Sequence, residues 1–235
     1  MRRLLIITLL MIAVFLYSEQ TPIFDIQHTT SAGIDGTFPS EMRNQKVELS
    51  GIVFAKDYLN GGFFVSHPEG GKWSGLLIND RGNSVNLGDQ VTIQGEVHEQ
   101  FGLTTIRSVK SCKVISRNNP LPSPTLITTA ELAYNECYEG VLVQLSNVTV
   151  VSEDSRKGVV LIDDGTGICR LANSFLKNSD DTLPFKQGDA FSTIIGVVDY
   201  RYGEFRINPR GASDIKKIYV GVTKPSWGRI KSLYR

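Results

Sequence analysis

One series of residues occurs twice in this chain. Leu87-Gly88-Asp89-Gln90-Val91 is followed by Gly95-Glu96-Val97 and then by Phe101-Gly102-Leu103-Thr104-Thr105-Ile106. Later, Gln187-Gly188-Asp189-Ala190-Phe191 is followed by Gly196-Val197-Val198 and then by Tyr202-Gly203-Glu204-Phe205-Arg206-Ile207. In both copies the last two glycines lie seven residues apart, so one turn recurs at one distance from one strand. An earlier segment repeats as well: Val47-Glu48-Leu49-Ser50-Gly51-Ile52-Val53 corresponds to Val141-Leu142-Val143-Gln144-Leu145-Ser146-Asn147-Val148. Such self-similarity means two copies of one structural unit. A length of 235 residues accommodates two units of about 100 residues, each able to bury a core.

Each unit reads as β structure. Short runs of Val, Ile, Thr, Phe and Tyr are punctuated by Gly, Asn, Asp and Pro at strand-like intervals. In the first copy the expected strands are Lys46 to Lys56, Gly61 to Ser66, Gly75 to Asn79, Gln90 to Glu99 and Leu103 to Val109, with Lys113 to Ile115 as an ending. Five or six strands suit a small closed barrel. Gly51, Gly95 and Gly196 are the expected sites of sharp coiling, where a side chain would clash. The Gly-Asp pairs at 88 and 188 fit tight turns leading into a strand. Between the copies, Asn118-Asn119-Pro120-Leu121-Pro122-Ser123-Pro124 breaks regular structure, because proline fixes φ and removes a backbone donor. Thr128 or Thr129 is positioned to cap a short helix through Glu131, Leu132 and Ala133. The expected organisation is a leader over 1–18, a first barrel over 24–117, a linker over 118–127, a second barrel over 128–218 and a basic tail over 219–235.

The N-terminus reads as an export signal: Arg2 and Arg3 precede an uncharged apolar run from Leu4 to Tyr17. A membrane-spanning helix needs about 20 apolar residues, so the run is short for a permanent anchor. Leu16 is bulky where a cleavage site prefers a small residue, which leaves an uncleaved anchor as the alternative. Without Arg2 and Arg3, 23 basic residues face 24 acidic ones, so no bulk basicity advertises a polyanion partner. Cys112, Cys137 and Cys169 are an odd number for an oxidising compartment, so at least one stays free or pairs between chains. Burial as small apolar residues in strands accounts for them equally well.

The chain carries little that suggests catalysis. His28, His67 and His98 are scattered, and no Gly-x-Ser-x-Gly elbow, phosphate-binding loop or dinucleotide fingerprint is present. Asp163-Asp164, followed by Gly165 and Gly167, reads as a hairpin turn, and Asp180-Asp181 reads as solvated charge. The glycosylation triplet Asn147-Val148-Thr149 falls inside an expected strand. No cofactor and no metal site is expected.

Several of these segments together carry a resemblance. They are the first copy, the linker Asn119-Pro120-Leu121-Pro122, the Tyr138-Glu139-Gly140 start of the second copy, and the closing run from Tyr202-Gly203-Glu204-Phe205 through Asn208-Pro209-Arg210-Gly211 to Asp214-Ile215. The pattern resembles the tandem OB-fold regions attached to bacterial extracellular nucleases, with related modules in the exported parts of some sensor kinases. Val160-Leu161-Ile162-Asp163-Asp164-Gly165-Thr166-Gly167-Ile168 is similar to the strand-turn-strand of nucleic-acid-binding OB folds in helicases and aminoacyl-tRNA synthetases. The resemblance implies an all-β chain of two tandem OB-like, five- to six-stranded barrels behind a signal sequence. It says less about the ligand, since OB barrels also bind sugars and proteins. A nuclease would add a metal-dependent domain rich in Asp, Glu, His and Asn, and the stretch after Ile215 is far too short for one. A non-enzymatic binding protein is the expectation.

An OB ligand lies across the second and third strands and the neighbouring loops, with aromatics stacking on rings and Lys or Arg following the backbone. That geometry selects Tyr58, Phe64, Lys72, Trp73 and Arg107 in the first barrel, and Arg170, Tyr200, Arg201, Tyr202 and Arg206 in the second. For each aromatic, core or barrel-end packing is the alternative role. After Asp214 the chain has no acidic residue but carries Lys216, Lys217, Lys224, Arg229, Lys231 and Arg235, which suits either a polyanion or a solvated terminus. The preferred partner is single-stranded or extracellular nucleic acid. A protein partner at the periplasm or cell surface, or an oligosaccharide, remains the alternative.

Overall fold

The computed structural model describes residues 20–34, 36–82, 84–153, 158–175 and 185–218. The leader, Asp180-Asp181 and residues 219–235 lie outside the described residues. Among the described residues no helix is long and apolar enough to cross a membrane.

The chain folds as two closed β-barrels of the OB type. In the first, β1 (Lys46–Tyr58), β2 (Gly62–Ser66), β3 (Gly75–Ile78), β4 (Gln90–Gln100) and β5 (Leu103–Ser116) close in the order β1-β2-β3-β5-β4. In the second, β7 (Leu142–Glu153), β8 (Val159–Asp163), β9 (Cys169–Ala172), β10 (Ala190–Arg201) and β11 (Glu204–Asn208) follow the same path, closed by pairing of β10 with β7. In each barrel the third and fifth strands run parallel and the other neighbours antiparallel. Two short strands are appended to the second sheet, β6 (Thr125–Leu126) on β7 and β12 (Ile215–Ile218) on β10.

Period-two alternation drives this arrangement. On β4, Val91, Ile93 and Val97 are fully buried while Thr92, Gln94 and Glu96 face outward. Gly95 sits at a bulge in the pairing of β4 with β5, where a methyl group would strike Ile106. Gly196 is its equivalent, with Ile207 and the Asn208 carbonyl in the way. The Gly-Asp turns also match bond for bond. Gly88 and Asp89 clasp Val53 through one donated and one accepted backbone hydrogen bond, both ends within 2.9 Å, and Gly188 and Asp189 clasp Val150 likewise.

Sequence and structure differ in the following strand and turn details. The expected strands Leu103 to Val109 and Lys113 to Ile115 are one continuous β5, because its bulge against Gly95 bends the strand without ending it. The same strand is broken in the second copy. Pro209 cannot donate to the ladder, so β11 stops at Asn208 and pairing resumes only at β12. Asp164, read as a turn residue, also reaches the helix α2 (Thr129–Tyr134), accepting bonds from the Thr129 backbone at 3.0 Å and its hydroxyl at 2.7 Å. Burial raises that carboxyl, but the bonds from Thr166 and Thr129 outweigh it and hold Asp164 below the usual range. Thr128 caps α2 reciprocally with Glu131.

The two barrels pack against each other. Phe54, Ala55, Tyr58, Phe64, Leu77 and Leu103 of the first form one apolar cluster with Leu142, Phe175 and Val197 of the second. At the joint the backbones touch, for a methyl at Gly75 would land on the Gly140 carbonyl and one at Gly140 on that of Gly75. Gly140 also has φ +72°, a conformation that L side chains rarely adopt. Gln27, from the short helix α1 (Ile23–Gln27), donates to the carbonyls of Gly75 and Glu139 and ties the two segments together. Gly75→Ala is expected to lower unfolding free energy by about 1–3 kcal/mol through overpacking of rigid backbone. Urea denaturation checks this, and an unchanged midpoint would show that the joint can yield.

Candidate nucleic-acid interface

An OB ligand face is the outer surface of the second and third strands. In the first barrel this surface is consumed by the joint. Phe64 and Leu77 stand opposite one another on β2 and β3, point outward, and are 0% and 3% exposed beneath the second barrel. Phe64 lies 6.1 Å from the ring of Phe175 and 5.1 Å from that of Tyr58. Tyr58 is buried as well, and its hydroxyl donates to Asp199 Oδ2 at 2.6 Å. Burial, then the Asp199 carboxylate, pushes this phenol well above its ordinary value.

Arg206 is the other half of this network. It donates from Nε and Nη2 to the two Asp199 oxygens at 2.9 and 2.6 Å, with the side chains 4% and 0% exposed. Tyr58, Phe64 and Arg206, chosen from the sequence as ligand-facing, therefore hold the barrels together instead. The surface they point toward is the other barrel.

Lys72 and Trp73 belong to the same joint. The Trp73 backbone N–H donates to the Cys137 carbonyl at 2.8 Å, its ring meets His28 edge-on at 5.3 Å, and the Lys72 ammonium lies 5.5 Å from the Tyr138 ring. Trp73 is half-buried and Lys72 exposed. Arg107 sits on the outer side of β5, bonded to Glu96 at 3.1 Å and to His98 Nε2 at 3.1 Å. Burial, then the Arg107 guanidinium, lowers the His98 imidazole below its ordinary value.

Among the described residues, the equivalent surface of the second barrel lies outside the apolar joint and is open. On β8 and β9, Val160, Ile162, Cys169 and Leu171 point into the core, and Leu161 and Arg170 face outward as direct cross-strand partners. Both are half-buried. Arg170 Nη2 pairs with Glu204 Oε1 at 2.6 Å across β11. At the edge of this surface the β10–β11 hairpin carries Arg201, whose guanidinium lies 5.1 Å from the Tyr202 ring centroid. Tyr202 is 67% exposed. Tyr200 is half-buried against Phe205, with ring centroids 4.9 Å apart, and serves packing. Of the ten residues selected from sequence, Arg170, Arg201 and Tyr202 are thus brought together on one accessible surface.

Phe101 was missed. It is 82% exposed at the tip of the β4–β5 hairpin, in the position that Tyr202 occupies in the second copy. The signal was present in the repeat, since Phe101-Gly102 aligns with Tyr202-Gly203.

Among the described residues no group of three or more His, Cys, Asp or Glu side chains could hold a metal ion. Asp163 is occupied by turn bonds from the Gly165 and Gly167 amides at 2.6 and 3.2 Å. Cys169 lies in the second core, where burial raises its thiol far above the ordinary range, and all three cysteines are free thiols.

No protein-family model and no curated protein matches the chain. Among solved structures, it is similar to the telomere capping protein Ten1 from Saccharomyces pombe, with 17% identity, 48% of this chain and 97% of that chain covered, and a TM-score of 0.28. It is also similar to a murine DNA binding protein bound with double-stranded DNA, at 12% identity, 73% and 97% coverage and a TM-score of 0.35. The tetrameric p202 HIN2 is a third, at 9% identity, 75% and 95% coverage and a TM-score of 0.35.

Proposed function

We propose that this chain is an exported, non-enzymatic binding protein that takes single-stranded nucleic acid on the open face of its second barrel, akin to the OB modules of extracellular nucleases. The observation that carries the reading is the asymmetry of the two ligand faces. One is filled by aromatic packing, and the other keeps Leu161, two guanidinium groups and an exposed tyrosine on one surface. OB barrels engage single strands with such a surface, stacking bases on aromatics while cations follow the phosphates.

The Arg170–Glu204 ion pair tempers the charge of this face. A phosphate must compete with the carboxylate, so the expected affinity is modest and falls with salt. The test is a fluorescence-anisotropy titration with labelled mixed-sequence single-stranded DNA at low and moderate salt, using the protein, Arg170→Ala and a variant ending after Ile218. Salt-sensitive binding by the protein is expected, with Arg170→Ala weaker by about 5- to 10-fold and its log–log salt slope shallower by about 0.7. Binding lost only on truncation would move the site to the basic tail. Absence of binding at low salt would overturn the nucleic-acid reading and favour a protein or glycan partner.

A further inference from the structure

The tips of the two equivalent hairpins break a local rule in the same way. Each is a two-residue connection with both residues at positive φ: Phe101 at 57° and Gly102 at 86°, Tyr202 at 57° and Gly203 at 82°. This turn takes Asn or Asp before Gly by strong preference, because their short side chains tolerate the left-handed conformation. A bulky aromatic there is an outlier that opposes folding. Both copies nevertheless carry one, Phe in the first and Tyr in the second. Neither ring is recovered by the core, as the exposures of 82% and 67% show.

The tips are also neighbours. Added at Gly102, a methyl group would run into the Tyr200 ring, so the first hairpin leans directly on the second, two residues from Tyr202. The first barrel, whose own ligand face is sealed, thus sets the hairpin that carries Phe101 against the hairpin that carries Tyr202. Core packing explains neither ring, and turn formation is hindered by both. Ring stacking against a ligand is the role that uses an exposed aromatic at a rigid tip.

We propose that Phe101 and Tyr202 are a matched pair of stacking residues, one from each barrel, that grip bases of a single nucleic-acid strand across the joint. This rests on the open face being a single-strand site. It makes that site composite, so neither barrel alone would reproduce the affinity.

Substitution by Asn separates stacking from structure, since Asn-Gly is the sequence the turn prefers. Phe101→Asn and Tyr202→Asn are each expected to leave the melting temperature unchanged or raised, while weakening binding of labelled single-stranded DNA by about tenfold. The conservative variants Phe101→Tyr and Tyr202→Phe should bind as the parent does. If Tyr202→Asn and Arg170→Ala weaken binding but Phe101→Asn does not, the pair is overturned while the open-face reading stands. If neither Asn variant weakens binding and Arg170→Ala does, the outcome is the same. If the parent binds no single-stranded DNA at low salt, both readings fall together.

Discussion

Replacing Arg206 with Met is expected to lower the unfolding free energy by about 3–5 kcal/mol, because it strands the Asp199 carboxylate in the joint. Asp199 has no exposed surface, and its two oxygens receive the Arg206 guanidinium in a bidentate grip and the Tyr58 hydroxyl. Taking two ions out of water opposes folding, and what sustains the arrangement is that each carboxylate oxygen finds a donor. Removing the cation leaves the opposition and takes away the compensation. Adding Asp199→Asn to Arg206→Met should recover more than half of the loss, since it removes the uncompensated charge. Urea denaturation of the four members of this cycle measures the coupling directly. A loss below about 1 kcal/mol for Arg206→Met would show that water reaches Asp199, contrary to its burial.

The second large effect is a loss of stability toward alkaline pH. Three carboxyl groups meet at the joint: Glu99 at the end of β4, and Glu136 and Glu139 where the second copy begins. Glu139 is 1% exposed, and one of its oxygens accepts from the Thr104 amide at 2.9 Å. Glu99 accepts from the Ser40 amide and the Thr104 hydroxyl, each at 2.9 Å. Burial first, and then repulsion from Glu99, raises Glu136 from 4.5 to about 8, and burial with Glu136 beside it holds Glu139 well above its ordinary value. The folded state therefore keeps protons that the unfolded chain releases. Their stabilising effect is fully present below pH 4.5, the unfolded value for Glu136, and is lost as pH rises through about 8. For Glu136 alone the interval corresponds to roughly 5 kcal/mol, a large share of a domain's stability. Unfolding free energy should thus fall steeply between pH 4.5 and 8, and Glu136→Gln should flatten the profile and be the more stable protein at pH 8. Equal stability of the parent protein at the two pH values would mean that Glu136 is ionised in the fold.

Much of the architecture was legible in the residues because it is built from local rules. Alternation on β4, the Gly-Asp turns at 88 and 188, the reciprocal Thr128–Glu131 cap and the aromatic-Gly hairpin tips all depend on neighbours within a few positions. The repeat then required two barrels of one kind. The candidate site was less legible. Phe64 and Arg206 point out of their barrels, and alternation carries no information about what lies beyond the barrel wall. Arg107 was selected by OB geometry, and it faces out of β5 into an ion pair with Glu96.

The sequence by itself determined the strands, the turns and the barrel closure, because hydrophobic period, glycine placement and turn chemistry are read within one short segment at a time. Only the tertiary structure decided which of two equivalent ligand faces stays open. That choice depends on contacts between residues far apart in the chain: Phe64 with Phe175, Tyr58 with Asp199, and the backbone of Gly75 against that of Gly140. The outward-facing cross-strand pair is Phe64 with Leu77 in the first copy and Leu161 with Arg170 in the second, and docking one barrel against the other turned the first pair into a core and left Arg170, Arg201 and Tyr202 at the surface.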